Sequence, residues 1–555
     1  MADLFDNFVG GLFFSPPPLD NQSSSVQING ASSIDVIKNQ TAIATSAKEF
    51  ILEQRLADIE RRLSSVEQPV WKIVMSSWEK AWDKCTEEGF CRCTPAIKQI
   101  SCFRLGLKSI PASQSIPNDI NHIDLSFNQL KTLHKDSFRT LTHLTLLDLS
   151  RNRLEFLPND LLLDLDSLSN LRLQENSLHG LDAQLFLKLR SLKFLDISFN
   201  QLSVTLPVEL FQSIYHVQVI NFQHNKLEKI PWLLEQSELE EVDISKNRLH
   251  SIDDIELAEL KSLKTLRLSE NFIVDIAPNA FTSLSQLQHL FLKKNFITHI
   301  SEKHFRNLKN LIILDLSANK IQKIHPLAFH SLAKVSELYL SQNSLNQIPE
   351  NLFIKMRGLK RLMLFSNDFR YLHSKSFIGL SSLTNLLLNN NNLKDFDADV
   401  FAPLVNLSKL RLDSNKLQFL PQNCLDKIPK LTKIKLDKNP WHCDCQSIYL
   451  ARFLREHYKK LWNGVAGGNL VCLGPGELGG KQVNVLRFDH LCYGQWYAMV
   501  HLSPRLPVKK QSTDNPETLF EKIDSINKND NRESLIVTEK PDFEIDIDKD
   551  YDNKQ

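Results

Sequence analysis

The stretch LIILDLSANKIQKIHPLAFHSLAK, residues 311–334, contains the pattern that decides the fold. Leu311, Leu314, Leu316, Asn319 and Ile321 follow the order leucine-x-x-leucine-x-leucine-x-x-asparagine-x-isoleucine. The asparagine of this pattern recurs outward in both directions, at residues 128, 152, 176, 200, 225, 247, 271, 295, 319, 343, 367, 391, 415 and 439. Of the thirteen intervals, eleven are 24 residues and the others are 25 and 22. Such a regular register indicates a solenoid of stacked repeats.

Each repeat is predicted to contribute one short strand, with its leucines inside and the intervening residues outside. The asparagines can bond backbone groups where the strands turn, and stacking them produces a ladder. A second apolar position is expected to close the convex side; it is phenylalanine at residues 138, 186, 211, 281, 305, 329, 353, 377 and 401. We therefore expect an α/β solenoid with a curved, parallel concave sheet of about 14 repeats.

Eight of the nine cysteines flank the repeats. Four precede them (Cys85, Cys91, Cys93 and Cys102) and four follow them (Cys443, Cys445, Cys472 and Cys492). Because the core of a solenoid is open at both ends, this clustering predicts two caps. The Cys-x-Cys sequence beside His442 also suggests a zinc site as an alternative, but a gap of one residue is tight for two thiolates that bind one metal ion. The ninth cysteine, Cys424, is expected to be a buried free thiol.

The two flanks carry a family resemblance. Residues 85–111 and the segment NPWHCDCQSIYLARFL, residues 439–454, resemble the cysteine-rich flanks of extracellular leucine-rich-repeat proteins. This group includes Slit, the Toll ectodomains, chaoptin-like adhesion proteins and the acid-labile subunit of growth-factor carriers. The resemblance extends from Cys85 to about Tyr493. It implies the disulfides Cys85–Cys93, Cys91–Cys102, Cys443–Cys472 and Cys445–Cys492, and a protein-binding role.

Paired cysteines imply an oxidising compartment, so we expect an extracellular protein, secreted or in the matrix. Three tripeptides fit the N-glycosylation pattern, at Asn21, Asn39 and Asn406, and only Asn406 lies in the repeats. The first residues do not resemble a secretory signal, because Asp3 and Asp6 precede a short apolar run. We expect the native protein to start differently. No stretch has the roughly 18 apolar residues that a membrane span needs, and the final residues do not resemble a lipid-anchor signal.

The predicted organisation has six parts: a disordered segment (1–46), a helical segment (47–84), an N-terminal cap (85–118), repeats (119–438), a C-terminal cap (439–493) and an acidic disordered tail (494–555). Within the helical segment, Leu52 to Val66 show heptad spacing over about two heptads. Trp71, Val74, Trp78 and Trp82 then follow helical spacing, which favours a helix packed on the cap over a dimerisation or membrane-contact surface. Tyr551 in the acidic tail is either a sulfation site or part of a solvated tail.

The outward positions of the predicted sheet give the candidate binding site. The first half of this face is mostly acidic, and a run of apolar residues follows. The predicted partner-binding patch comprises Phe291, Ile313, Tyr339, Met363, Phe365 and Leu387, with Arg411 and Lys435 at its basic end. An exposed apolar patch with a charged rim is typical of a protein interface. Alternatively, these residues are covered by another part of the chain, or the basic end meets heparan sulfate.

Composition and motifs reduce the number of function classes that fit this sequence. The net charge is +1 and there is no block of lysine and arginine, which argues against nucleic acid as a partner. The chain contains no hydrolase, metalloprotease, phosphate-loop or dinucleotide motif, so we expect neither an enzyme nor a cofactor. The favoured function is extracellular protein recognition. The alternatives are the ectodomain of a cell-surface receptor and an intracellular scaffold with reduced thiols.

Overall fold

In the computed structural model, the described residues are 70–74, 78–203, 206–233, 238–462, 470–474 and 478–493. The chain divides into two units, Met1–Leu486 and Arg487–Gln555. The described part of the second unit contains a π-helical turn, Asp489–Tyr493. The predicted disordered segment, the heptad seam, Tyr551 and the acidic tail lie outside the described residues.

The first unit contains helices α1 (Trp78–Glu87) and α2 (Ile448–Glu456). Its strands are β1 (Lys72–Val74), β2 (Arg92–Thr94), β3 (Gln99–Ser101), β4 (Ser115–Pro117), β5 (His122–Asp124), β6 (Leu146–Asp148), β7 (Asn170–Arg172), β8 (Phe194–Asp196), β9 (Val219–Asn221), β10 (Glu241–Asp243), β11 (Ser251–Ile252), β12 (Thr265–Arg267), β13 (Asp275–Ile276), β14 (His289–Phe291), β15 (His299–Ile300), β16 (Ile313–Asp315), β17 (Lys323–Ile324), β18 (Glu337–Tyr339), β19 (Arg361–Met363), β20 (Tyr371–Leu372), β21 (Asn385–Leu387), β22 (Asp395–Phe396), β23 (Lys409–Arg411) and β24 (Lys433–Lys435). Short 3-10 turns lie at Pro95–Ile97, Val208–Phe211, Cys445–Ser447, Tyr458–Lys460 and Val483–Val485.

One 16-stranded sheet runs through the unit, in the order β2-β3-β5-β6-β7-β8-β9-β10-β12-β14-β16-β18-β19-β21-β23-β24. The β2–β3 pair is antiparallel and the remaining pairs are parallel. Both described α-helices lie outside the repeats. The predicted solenoid of about 14 repeats is confirmed.

The predicted asparagine ladder is present, and Asn319 shows how it works. Its Nδ2 donates to the carbonyl oxygen of Leu316 at 3.1 Å and to that of Leu292, one repeat earlier, at 2.9 Å. Its Oδ1 accepts from the backbone N–H of Ile297 at 3.1 Å. Asn319 is 7% exposed, so its amide satisfies backbone groups of two repeats inside the protein.

The residue before each ladder asparagine adopts a left-handed conformation, with φ between 52° and 58° in all fourteen repeats. None of the fourteen is glycine, although a side chain makes this conformation cost about 1–2 kcal/mol. The ladder asparagine supports this turn by bonding the carbonyl groups just before it, as Asn319 does with Leu316 and Ser317. The sequence motif therefore encodes both a strained turn and the hydrogen bonds that hold it.

A stack of phenylalanine rings forms the second predicted core layer. The nine residues of this set are at most 1% exposed. The ring centroids of Phe281, Phe305, Phe329 and Phe353 are 6.1 to 6.4 Å apart from one repeat to the next. Neighbouring repeats thus share one continuous apolar interior, which is how a repeat too small for its own core becomes stable.

The N-terminal cap corrects one prediction. The helical spacing expected from Trp71 does not hold, because residues 72–74 form strand β1 and pair in parallel with β4. Helix α1 begins at Trp78, and the Trp82 indole, 2% exposed, donates to Asp119 at 3.2 Å. The helix packs on β4, so the expected packing on the cap is correct for α1. Pairing with a strand that lies 43 residues later outweighed the local helical pattern.

Three of the four disulfides that the resemblance implies are confirmed. Disulfides join Cys85 to Cys93, Cys91 to Cys102 and Cys443 to Cys472. Cys445 and Cys492 are also disulfide-bonded. The thiols of the Cys-x-Cys sequence are therefore used in disulfides, which overturns the zinc alternative. Cys424 is a buried free thiol, as predicted, and burial raises its pKa to about 12.

Candidate functional site

The sheet carries two columns of outward side chains, one on each side of a buried central residue. One column runs Phe291, Asp315, Tyr339, Met363, Leu387, Arg411 and Lys435 in direct register. The other includes Ile313, Glu337 and Arg361. We call this surface the sheet face. The structure thus brings seven of the eight predicted patch residues together on adjacent strands about 4.8 Å apart, and the eighth, Phe365, lies two residues beyond the end of β19.

Exposure divides the predicted patch into two groups. Phe291, Ile313, Tyr339 and Phe365 are half-buried, with part of each side chain open to solvent. Met363 and Leu387, expected to be exposed, are only 5% and 8% exposed. Each is flanked in the same column by a large outward residue, Tyr339 beside Met363 and Arg411 beside Leu387, and we attribute their burial to these neighbours. Met363 and Leu387 therefore form a floor, and the half-buried group forms the apolar contact surface.

Polar contacts fix the orientation of Tyr339. Its hydroxyl donates to Glu337 Oε2 at 2.5 Å, and Arg361 Nη1 lies 3.5 Å from Glu337 Oε1. Burial, followed by the carboxylate of Glu337, raises the pKa of Tyr339 well above its usual value. The phenol is therefore neutral, and its ring is held in one position. A second cation, Arg267, lies at the other end of the patch. It pairs with Glu241, and its guanidinium carbon lies 5.6 Å from the Phe291 ring centroid.

The aspartates of the sheet face have a structural task. Asp315 Oδ1 accepts from the backbone N–H of Ser317 at 2.9 Å and from its hydroxyl at 2.5 Å. Asp124, Asp148, Asp196 and Asp243 accept the equivalent backbone N–H. Burial raises the pKa of Asp315. The acidic first half of the face is thus largely committed to holding the strand ends.

The basic end of the predicted patch is neutralised within the protein. Arg411 makes a two-pronged contact with Asp413, at 2.9 and 2.8 Å. Lys435 lies 3.9 Å from Asp413 and 3.6 Å from Asp437. These carboxylates reduce the positive potential that a sulfated polysaccharide would need. Heparan sulfate gains no support from this geometry.

Sequence reasoning missed the frame of the patch. Glu337 and Arg361 occupy the outward position before the central leucine, whereas most of the predicted patch residues occupy the position after it. Both residues are recognisable in the sequence when the two outward columns are compared.

Asn389 is a second residue that the sequence did not single out. It is 1% exposed, and its Oδ1 has no hydrogen-bond partner among the described residues. No sequence signal marks this buried amide, because other repeats also carry polar residues there.

The predicted glycosylation site, Asn406, lies in a folded repeat. Its Nδ2 donates to the carbonyl oxygen of Ser381 at 2.8 Å, and its Oδ1 accepts from Lys430 at 2.6 Å. Attachment of a sugar to this nitrogen would have to replace or tolerate the first bond. The other two tripeptides, at Asn21 and Asn39, lie outside the described residues.

No group of three or more potential metal ligands occurs among the described residues. No described helix has the length and apolar character of a membrane span.

Comparisons with known proteins agree with this architecture. The leucine-rich-repeat family model matches residues 118–178, 142–202, 237–295, 290–345, 334–393 and 381–440, together just over half of the chain. Leucine-rich repeat-containing G-protein coupled receptor 5 of Rattus norvegicus is 31% identical over 80 residues, which are 14% of this chain and 9% of the receptor.

Solved structures show a similar fold. Toll in the Drosophila Toll–Spatzle complex gives a TM-score of 0.60 at 24% identity, covering 68% of this chain and 52% of Toll. TLR13 in complex with ssRNA13 gives 0.53 at 23% identity, covering 62% and 54%. A repeat protein of Leptospira interrogans gives 0.51 at 24% identity, covering 67% and 95%. The chain spans about half the length of the Toll and TLR13 chains it matches, and these likenesses establish the fold alone.

Proposed function

Because this chain belongs to the leucine-rich-repeat family, we propose that it is an extracellular recognition protein that binds a protein ligand on its sheet face. The observation that carries the proposal is the half-exposed apolar group Phe291, Ile313, Tyr339 and Phe365 on adjacent repeats. Aromatic side chains in such a group commonly supply a large share of binding energy. The expected function is ligand recognition, adhesion or signalling.

The site supports binding because it is rigid before a ligand arrives. Phe291 and Tyr339 belong to strands of one continuous sheet, and Tyr339 is further held by Glu337. Little side-chain entropy is then lost on association, which favours affinity. Met363 and Leu387 beneath the surface make the patch difficult to deform.

The charge pattern favours a protein over a nucleic acid. Three arginines of the sheet face are each close to a carboxylate: Arg267 to Glu241, Arg361 to Glu337 and Arg411 to Asp413. A phosphate backbone requires cations that are free to replace its counterions. Toll was solved with Spatzle and TLR13 with ssRNA13, so the fold itself accommodates both classes of ligand. We choose the protein class on the paired arginines.

The extracellular part of the proposal rests on the cysteines. Eight are disulfide-bonded, and they seal the ends of the repeats as they would in an oxidising compartment. The intact mass of the protein from its native source should rise by about 8 Da on reduction, because each of these cysteines gains one hydrogen. Enzymatic deglycosylation should release an N-glycan from Asn406. Free thiols and an unmodified Asn406 would instead support an intracellular scaffold.

The sheet-face test compares two sets of variants in a screen against a library of secreted and cell-surface ectodomains. Replacing Phe291, Tyr339 and Phe365 together by serine should abolish binding to a partner found with the unchanged protein. Tyr215→Ser is a matched control, because Tyr215 is 42% exposed and lies away from the sheet strands. Equal binding by the triple variant and the control would exclude the sheet face as the interface.

A further inference from the structure

Along the edge of the solenoid that follows the asparagine ladder, one repeat between β11 and β22 contributes no strand, and we call this gap the interruption. Short parallel strand pairs run along this edge as β11–β13, β15–β17 and β20–β22. The segment 344–349 lies in the repeat between β17 and β20 and forms no strand. The edge is therefore open where this segment passes.

Pro349 stands at the end of this strandless segment. In the preceding repeat the backbone N–H of His325 donates to the carbonyl oxygen of Ile300 at 2.8 Å. Pro349 takes the place of His325 one repeat later, and proline has no N–H to offer the carbonyl of Ile324. Among the described residues, no backbone hydrogen bond joins Asn346 to the edge segments before or after it.

An open trough of about 890 Å³ lies at this interruption. We call it the edge trough. Its principal lining residues are Gln322, Lys323, Asn346, Gln347, Asp368 and Arg370. The volume falls in the range of about 300–1,000 Å³ that small-molecule sites occupy, but such sites are usually lined by apolar groups. The edge trough is lined by polar side chains, with Ser344 and Asn392 completing it.

Most polar side chains that line the edge trough have hydrogen-bonding groups that no other described residue uses. Asp368 accepts one long hydrogen bond, from Asn392 Nδ2 at 3.4 Å. The side chains of Gln322, Asn346, Gln347 and Arg370 make no hydrogen bond to other described residues. Amide groups donate and accept at once, and so does a hydroxyl group. A ligand that presents many hydroxyls would satisfy this lining, whereas an apolar ligand would leave it unpaired.

We propose that the edge trough binds an oligosaccharide. The three amides and Asp368 would meet sugar hydroxyls, and Lys323 and Arg370 would meet a carboxylate where the sugar carries one. Two cations against one carboxylate give too little positive charge for a phosphate chain. This site lies on the solenoid edge, away from the sheet face. A test of oligosaccharide binding here is therefore independent of the proposed protein ligand.

Calorimetric titration of the full chain with two tetrasaccharides tests the proposal: neutral chitotetraose and a hyaluronan tetrasaccharide, which carries carboxylates. We expect a Kd of about 1 mM or tighter for at least one of them. Tighter binding of the hyaluronan fragment would assign the recognition to Lys323 and Arg370. Tighter binding of chitotetraose would assign it to the amides. Failure of both to bind at several times that concentration would overturn the proposal.

Variants locate the binding. The double substitution Asn346→Ala with Gln347→Ala removes two exposed amides and should weaken binding at least tenfold. Gln286→Ala removes an exposed amide outside the trough and should leave the Kd unchanged. Unchanged binding in the double variant would refute the site.

Discussion

Replacing Asn319 by alanine should destabilise the junction between two repeats that carry the candidate site. The amide makes four buried hydrogen bonds, to the carbonyls of Leu292, Leu316 and Ser317 and from the N–H of Ile297. Alanine leaves the N–H of Ile297 buried without a partner, whereas the Leu292 and Leu316 carbonyls keep one bond each, from Asn295 and Asn343. An unpaired buried donor costs about 1–3 kcal/mol, so with the weakened carbonyls the free energy of unfolding should fall by about 2–4 kcal/mol.

Asn310→Ala provides a matched control. Asn310 also reaches across repeats, donating to the carbonyl of Ser285 at 2.9 Å and accepting from Lys334 at 2.7 Å. Its bonds are exposed, so water replaces them, and the loss should remain below about 1 kcal/mol. The two variants therefore delete the same side chain and differ in burial.

Urea unfolding followed by circular dichroism measures both changes. Hydrogen exchange then locates them, and Asn319→Ala should accelerate exchange at the N–H of Ile297 more than in repeats far from it. A loss below about 1 kcal/mol in Asn319→Ala, or equal losses in the two variants, would refute the assignment of the ladder as a buried hydrogen-bond network.

Three further outcomes are expected. Cys424 should resist iodoacetamide at pH 8 in the folded protein and react once urea unfolds it, because burial raises its pKa to about 12; mass spectrometry checks this, and rapid native labelling would contradict it. Burial raises the pKa of Asp315, so the native state holds a proton more readily than the unfolded state and stability falls as pH rises through the folded pKa. Asp315→Asn keeps a side-chain oxygen as acceptor, as Asn221 does in an earlier repeat. The variant lacks the titrating carboxyl group, so its urea midpoint minus that of the unchanged protein should increase between pH 4 and pH 7. A decrease in this difference would contradict the raised pKa of Asp315. Gln114→Ala should destabilise the N-terminal cap by about 2–4 kcal/mol, since its buried amide bonds the carbonyls of Cys85 and Ser115 and the N–H of Cys91; a thermal melt unchanged from that of the parent would contradict this.

The candidate site was predictable only in part. The register placed Phe291, Ile313 and Tyr339 on one face, and the sheet confirms their adjacency. Exposure was not predictable at the same level, because the cover over Met363 depends on side chains one repeat away on each side. The charge of the basic end likewise depended on where the Asp413 carboxylate points.

The amino-acid sequence by itself determined the repeat, its register, the asparagine ladder, the phenylalanine stack and the positions of the caps. It could do so because each repeat packs mainly against its two neighbours, which carry the same short pattern, so the pattern specifies nearly all of the contacts in the core. Tertiary structure decided what depends on residues far apart in sequence or on one exception to the pattern. The pairing of β1 with β4, the role of Gln114 in the cap and the missing edge strand at residues 344–349 are such cases. In each, a backbone group took or lost a partner that local periodicity does not specify.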